Sequence, residues 1–364
     1  MENKLFTPLK LGVIKLKNHM VMAPMTRSRA TPDNVPVEMM AEYYAQRAGA
    51  GLIITEGTSP SPNGLGYPCI PGIYNDAQIA AWKKVTDAVH NKGGHIFLQL
   101  MHTGRVTAQE NLPEGAEVLA PSAIAAKGEM HTKTGGKVNQ PVPRALTTAE
   151  VESTVEEYVT AAKNAVAAGF DGVEFHSANG YLMEQFLNPG VNQRTDQYGG
   201  SIEARSSFLL SIITKAIAEI GKEKIGVRFS PYGVFNDMPA YDEVDDTYAY
   251  LAEKLSNLDI VYVHVLDHSS MGTPPVPQGV KDIIRSKFKN MLISGGGFNH
   301  EKAEVALDNG STDLVAFGRE YLANPDLEVR FKTGAKLNEP DMGTFYVPGA
   351  KGYIDYPFLE KAEA

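Results

Sequence analysis

Short runs of β-branched and aromatic residues, each closed by Gly, Pro or Asn, recur along the chain. Most are followed by a segment whose apolar positions return every three or four residues. The runs at 20–23, 52–56, 95–100, 172–175, 225–229, 260–264, 291–294 and 313–317 predict eight strands. Helical periodicity predicts helices at 80–91, 149–168 (capped by Thr147 or Thr148), 202–220, 245–255 and 300–309. Eight β/α alternations without a Gly-, Ser- or Pro-rich linker predict one closed (β/α)8 TIM barrel over residues 1–364, not two doubly wound halves. Two stretches depart from the repeat. Residues 9–16 alternate around Gly12 and predict a small N-terminal hairpin closing the barrel's bottom. Residues 102–146, crowded with Gly and Pro, follow the third strand on the C-terminal side, where a long insertion is expected to be a lid.

In a parallel barrel alternate strand residues face inward, and those nearest the C-terminal end line the site. Gln99 shares a face with Phe97, Arg228 with Gly226, and His176 with Glu174. Each alone reads as a paired polar group in a barrel interior; three on one rim point to a ligand. Past His176 the chain runs Ser177-Ala178-Asn179-Gly180-Tyr181, which puts an imidazole, an amide and a phenol on one loop. Two neutral donors beside a third proton carrier suit polarisation of a carbonyl oxygen with protonation of an adjacent carbon. Plain hydrogen bonding at a strand end is the alternative.

A rival constellation, His264, Asp267 and His268 at the end of the sixth strand, has spacing that could serve a metal-dependent barrel hydrolase. The His-x-His expected after strand one of such enzymes is missing, since that position reads Ala23-Pro24-Met25-Thr26. Phosphate handling has a separate signature. Ser294-Gly295-Gly296-Gly297 follows strand seven and Phe317-Gly318-Arg319 follows strand eight, where barrels commonly seat phosphate on backbone amides.

Composition narrows the partners. Thirty-four basic against 43 acidic residues leave a net charge of −9 with no dense Lys/Arg run, so a nucleic-acid partner is not expected. The lone cysteine, Cys69, can form no intrachain disulfide and cannot supply an iron–sulfur or zinc thiolate set. The first residues lack the apolar run of a signal peptide, and no apolar stretch approaches membrane-spanning length. A cytoplasmic protein without a membrane partner is expected.

Several motifs together resemble the Old Yellow Enzyme family of FMN-dependent ene-reductases. They are Ala23-Pro24-Met25-Thr26-Arg27, Gln99-Leu100-Met101-His102-Thr103-Gly104-Arg105, His176-Ser177-Ala178-Asn179-Gly180-Tyr181-Leu182, the stretch from Asn192-Gln193-Arg194-Thr195-Asp196 to Gly199-Gly200-Ser201, and Ala316-Phe317-Gly318-Arg319. The resemblance runs from Leu5-Phe6-Thr7-Pro8-Leu9 to Tyr353-Ile354-Asp355-Tyr356-Pro357. It implies non-covalent FMN, reduced by NADPH or NADH and reoxidised by an electron-poor alkene such as an α,β-unsaturated carbonyl or a nitroalkene. Carried over by motif, Pro24, Thr26 and Gly57 would surround the flavin ring, with Gln99 on its pyrimidine edge and Arg228 near its N1/C2 carbonyl region. Gly295, Gly296, Gly318 and Arg319 would hold the phosphate. His176 and Asn179 would bind the substrate's carbonyl oxygen, Tyr181 would donate the proton, and Tyr67, Met101 and Tyr346 would border the substrate. No metal ligand is implied. Many relatives carry tryptophan where Met101 stands, which leaves a wider or more adaptable pocket.

Overall fold

The computed structural model describes residues 3–359. Eight parallel strands close into a barrel: β1 (Met20–Met22), β2 (Leu52–Ile54), β3 (Ile96–Leu100), β4 (Gly172–Ser177), β5 (Ile225–Phe229), β6 (Tyr262–Leu266), β7 (Met291–Gly295) and β8 (Leu314–Phe317). Each pairs with its neighbours in sequence, and β8 pairs with β1, Ala316 opposite Val21. The predicted runs and the observed strands coincide to within two residues. β6 differs most, beginning at Tyr262 and continuing to Leu266 because its partner β7 carries the ladder on to Gly295.

Period-two alternation splits the strand side chains into two apolar layers. Val21, Leu52, Ile54, Phe97 and Tyr262 fill the barrel's interior together with Leu11 and Leu16. Leu98, Val173, Phe175, Val227 and Phe229 face outward against the helices. Gly226 is required by this packing, since a Cβ there would lie 2.1 Å from the Tyr262 ring. Leu11 and Leu16 come from the expected hairpin, in which Leu9–Leu11 pairs antiparallel with Ile14–Leu16. Its Gly12 turns with φ +56° directly against the backbone carbonyl of Glu223.

The helices over the outer layer include α2 (Asp76–His90), α3 (Thr148–Ala167), α5 (Ile202–Ile220), α6 (Val244–Asn257) and α8 (His300–Asp308), as the periodicity predicts. Thr147 caps α3 through a reciprocal box with Glu150, and Ser201 caps α5 by accepting from the Ala204 N–H. Among the described residues the chain also forms α1 (Glu38–Gln46), α4 (Leu182–Leu187), α7 (Gln278–Lys287), α9 (Arg319–Ala323) and α10 (Leu327–Thr333), which the periodicity did not predict. α4 has no polar face to betray it, since all six of its residues are buried.

Residues 102–146 hold a 3-10 turn and two small sheets, Leu119–Ala120 with Arg144–Ala145 and Glu129–His131 with Lys137–Asn139. Val106, Leu112, Val118 and Met130 form a separate apolar cluster with Leu65, Met101 and Tyr181, so this segment packs against the loop that follows β4.

Candidate active site

The inward-facing polar residues of β3 to β6 meet in one buried layer. Gln99 Nε2 donates to Glu174 Oε1 at 2.8 Å, and the His264 ring meets Glu174 Oε2 through Nδ1 at 2.9 Å. Arg228 stands in register with His176 on one side and His264 on the other. Burial alone would raise the Glu174 carboxyl, but the His264 hydrogen bond, the Arg228 charge and the Gln99 bond hold it below the usual glutamate range. His264 is lowered by burial and by Arg228, so it donates to Glu174 as a neutral ring. His176 is pushed well below the usual histidine value by burial, then by Arg228, and is neutral too.

Above this layer the β4 loop carries Asn179 and Tyr181. The His176 and Tyr181 rings pack edge to face at 4.9 Å, and Tyr181 Oη donates to Tyr67 Oη at 3.0 Å. Burial raises the Tyr181 hydroxyl above its usual value, and Tyr67 well above, so both phenols stay protonated at neutral pH. Tyr346 is brought near this pair, although two-thirds of its surface (66%) is exposed. Arg27, with no exposed surface, fixes the segment carrying Tyr346. It donates from Nε to the Phe345 carbonyl at 3.1 Å and from Nη2 to that of Gly352 at 2.7 Å. Pro24 and Thr26 follow β1, Pro24 buried and Thr26 half-buried. Gly57 follows β2 with no room for a side chain, because a Cβ would lie 2.5 Å from Met101 Sδ.

At the end of β7, Gly295 faces His264 Nε2, which would be 3.1 Å from an added Cβ. Gly296 turns with φ +115°, and a Cβ there would lie 1.9 Å from the Asp267 carbonyl. Gly318 precedes α9, and the exposed Arg319 donates from Nη2 to the Ser270 carbonyl at 3.1 Å.

This geometry tests the fit of FMN on the chain's own atoms. His176 Nδ1, Arg228 Nε and His264 Nε2 are buried and have no hydrogen-bond partner among the described residues. A polar ligand in the barrel mouth would supply partners for such atoms, and at Gly318 an added Cβ would meet only Met25 Sδ, at 3.6 Å, which leaves room beside that backbone for a phosphate. The residues fit the group.

The metal reading is corrected. His264 points down to Glu174, Asp267 pairs with Lys281 Nζ at 2.7 Å, and His268 Nε2 lies 2.8 Å from Asn179 Oδ1. The three are neighbours in sequence yet face three different partners, and no group of three such side chains among the described residues could hold a metal. Sequence reasoning also missed residues. Asn236 Nδ2 donates to the Asn179 carbonyl at 2.6 Å, and Ser230 Oγ accepts the Asn179 N–H at 2.8 Å. Glu184 Oε2 accepts the Gly180 N–H at 2.5 Å.

Fold and site together define a flavin-dependent oxidoreductase built on a (β/α)8 barrel. The model of the NADH:flavin oxidoreductase / NADH oxidase family matches residues 4–338, and the chain belongs to that family. It is 43% identical over 356 residues to a probable flavin mononucleotide-dependent alkene reductase of Leishmania infantum, covering 97% of this chain and 96% of that protein. Among solved structures, an Old Yellow Enzyme homologue from Zymomonas mobilis superposes with a TM-score of 0.94 at 42% identity, covering 98% of this chain and 100% of that one. Morphinone reductase in complex with tetrahydroNAD superposes with a TM-score of 0.91 at 46% identity, covering 98% of each chain. The chain is an oxidoreductase of the alkene-reductase type, with FMN as cofactor and a nicotinamide as reductant.

Proposed function

We propose that the chain reduces the C=C bond of α,β-unsaturated carbonyls and nitroalkenes, with His176 and Asn179 binding the substrate's oxygen and Tyr181 donating the proton. The observation that carries this reading is the joint placement of three neutral hydrogen-bonding groups at the end of β4 and on the loop that follows, at a barrel mouth whose buried polar atoms lack partners. FMN, when bound, supplies the two-electron chemistry between NADH or NADPH and the alkene. Gln99, Arg228, Pro24, Thr26 and Gly57 would hold its ring, and Gly295, Gly296, Gly318 and Arg319 its phosphate.

The chain's own residues do the rest. Two donors on one oxygen stabilise the negative charge that develops there as the alkene is reduced. Neutral His176 brings no charge of its own to repel Arg228. Tyr181 gives its proton to the α-carbon and regains one along the Tyr67 hydroxyl, 3.0 Å away. Met101 and Tyr346 border the substrate, and residues 102–146 act as the lid over it. The lone Cys69 is free, consistent with a cytoplasmic location, and the net charge of −9 argues against nucleic acid. No helix among the described residues is long and apolar enough to cross a membrane, and a membrane partner forms no part of the reading.

Titration of the purified FMN-loaded protein with p-chlorophenol, an oxygen ligand that cannot be reduced, tests the oxygen site. Spectral perturbation of the flavin is expected, and His176→Ala should weaken it. In other enzymes a single oxyanion donor is worth about 2.7–4 kcal/mol, and the second donor here should soften the loss. Parental affinity in His176→Ala would place the oxygen site elsewhere.

A further inference from the structure

Asn179 is held at almost every polar atom. Its backbone is left-handed, φ +59°, a conformation asparagine tolerates better than most residues. Its N–H donates to Ser230 Oγ at 2.8 Å and its carbonyl accepts from Asn236 Nδ2 at 2.6 Å. The following N–H, of Gly180, donates to Glu184 Oε2. Partners on the β5 loop, at the end of β5 and on α4 therefore fix the main chain on both sides of Asn179. What they leave open is which end of the side-chain amide faces the pocket. That choice matters because the two ends have opposite roles, carbonyl acceptor and amino donor.

We propose that His268 is a positioning residue that settles this choice, donating its Nε2–H to Asn179 Oδ1 and so presenting Asn179 Nδ2 as the donor toward the substrate's oxygen. The inference rests on the reading of Asn179 as an oxygen-binding residue. The contact itself is 2.8 Å, and His268 is 2% exposed. Phe235 covers the ring at 4.4 Å, so the imidazole has little freedom to swing away. Burial, assisted by Arg228 and only partly opposed by Asp267, brings the His268 pKa down to about 4, which leaves one N–H on the ring at neutral pH. With that proton on Nε2, Nδ1 carries the lone pair, and Nδ1 has no partner among the described residues. The opposite tautomer would make Nε2 an acceptor, draw Asn179 Nδ2 toward itself and turn a carbonyl oxygen toward the substrate's oxygen, which would repel it. Bonding to a donor also draws electron density toward Asn179 Oδ1, which makes the Nδ2 protons better donors.

The test is a double-mutant cycle on the FMN-loaded protein, read as the dissociation constant of p-chlorophenol. A hydrogen bond of ordinary strength corresponds to roughly tenfold in affinity, so His268→Leu should weaken binding by about that factor. His268→Gln, which keeps a side-chain donor, should recover most of it. In an Asn179→Ala background the His268→Leu change should have no further effect. Equal losses in both backgrounds, or unchanged or tighter binding in His268→Leu alone, would overturn the inference while leaving the Asn179 reading standing. Parental affinity in Asn179→Ala would remove both. A second measurement reads the tautomer directly: ¹⁵N shifts of histidine-labelled parent protein should show His268 protonated at Nε2, its signal assigned by its loss in His268→Gln. An Nδ1-protonated ring would overturn the inference.

Discussion

Glu174 and His264 meet at 2.9 Å inside the barrel, with neither side chain exposed to solvent. The bond ties β4 to β6 across the strand that carries Arg228. With His264 neutral, Arg228 is the cation that balances the Glu174 carboxylate, so the site's fixed positive charge and its buried negative one depend on each other.

Replacing Arg228 by Met should therefore have two separable effects. It removes the cation proposed to face the flavin, so FMN should bind more weakly and its reduction potential should fall. It also leaves Glu174 without the cation nearest its charge, which should lower folding stability, though by less than the roughly 3–5 kcal/mol of a broken buried contact pair, because the Gln99 and His264 bonds remain. Adding Glu174→Gln should restore much of the stability without restoring the affinity or the potential. Denaturant unfolding of the apoprotein reads the first quantity, and fluorescence titration with spectroelectrochemistry reads the other two. Full recovery of FMN binding in the double variant would show that Arg228 serves the fold and not the cofactor.

Gly296→Ala should release FMN from a chain that still folds. The added methyl meets the Asp267 carbonyl at 1.9 Å, and φ +115° is strained for any L side chain. The turn must move, and with it the backbone proposed to hold phosphate. FMN affinity is expected to fall by tenfold or more, measured by equilibrium dialysis, with far-ultraviolet circular dichroism unchanged. Parental affinity would place the phosphate away from this turn.

The barrel was legible because a strand buried on both faces writes itself as a short apolar run, and the polar exceptions Gln99, Arg228 and His176 fall on the inward phase of that alternation. Glu174 was legible as the face-mate of His176, but its partner His264 lies 90 positions away, and only the closed barrel brings them together. Closeness in sequence misled at His264, Asp267 and His268, where a strand end and a loop send adjacent side chains to separate partners. Ser230, Asn236 and His268 hold Asn179 from other strand ends and loops, and no local periodicity records which loops touch. The stretch from Asn192 to Ser201 carried the resemblance for a structural reason. Asn192 Nδ2 bonds the Phe186 and Tyr198 carbonyls at 2.7 Å, and Ser201 caps α5.

Glu184 gives a pH prediction with a definite sign. Burial raises its carboxyl from 4.5 to about 7, despite bonds from Gly180, Ser230 and Tyr248. A carboxyl whose folded pKa is raised contributes stability that is complete below its unfolded value and is lost as pH rises through the folded one. The parent should thus lose stability relative to Glu184→Gln between pH 4.5 and about 7, by at most about 3 kcal/mol. The comparison cancels the buried histidines, which both proteins share and which act in the opposite sense. Thermal unfolding of both proteins at pH 5 and pH 8 decides it, and a pH-independent difference would mean that Glu184 stays ionised in the fold.

Tyr181→Phe separates a proton donor from a tyrosine that only packs. The hydroxyl sits 3.0 Å from Tyr67 Oη, its ring lies edge-on to His176, and burial keeps it protonated at neutral pH. Removing the oxygen leaves the ring in its apolar cluster with Met101 and Val106, so packing is largely conserved. If Tyr181 is the acid, reduction of the enzyme by nicotinamide, which needs no proton from this side chain, should stay near the parental rate. Reoxidation by 2-cyclohexenone should slow by two or more orders of magnitude, within the range of about 10²–10⁴ that a positioned general acid contributes. A nitroalkene should behave differently, since its anion is stabilised by the nitro group and can leave unprotonated. It should still oxidise the enzyme at an appreciable rate, and the anion should appear in solution as a separate absorbing species. Rapid-mixing measurement of the two half-reactions provides the check. Equal slowing of both would assign Tyr181 to packing alone, and parental reoxidation by the enone would move the proton donor to another group, with Tyr67 the nearest hydroxyl.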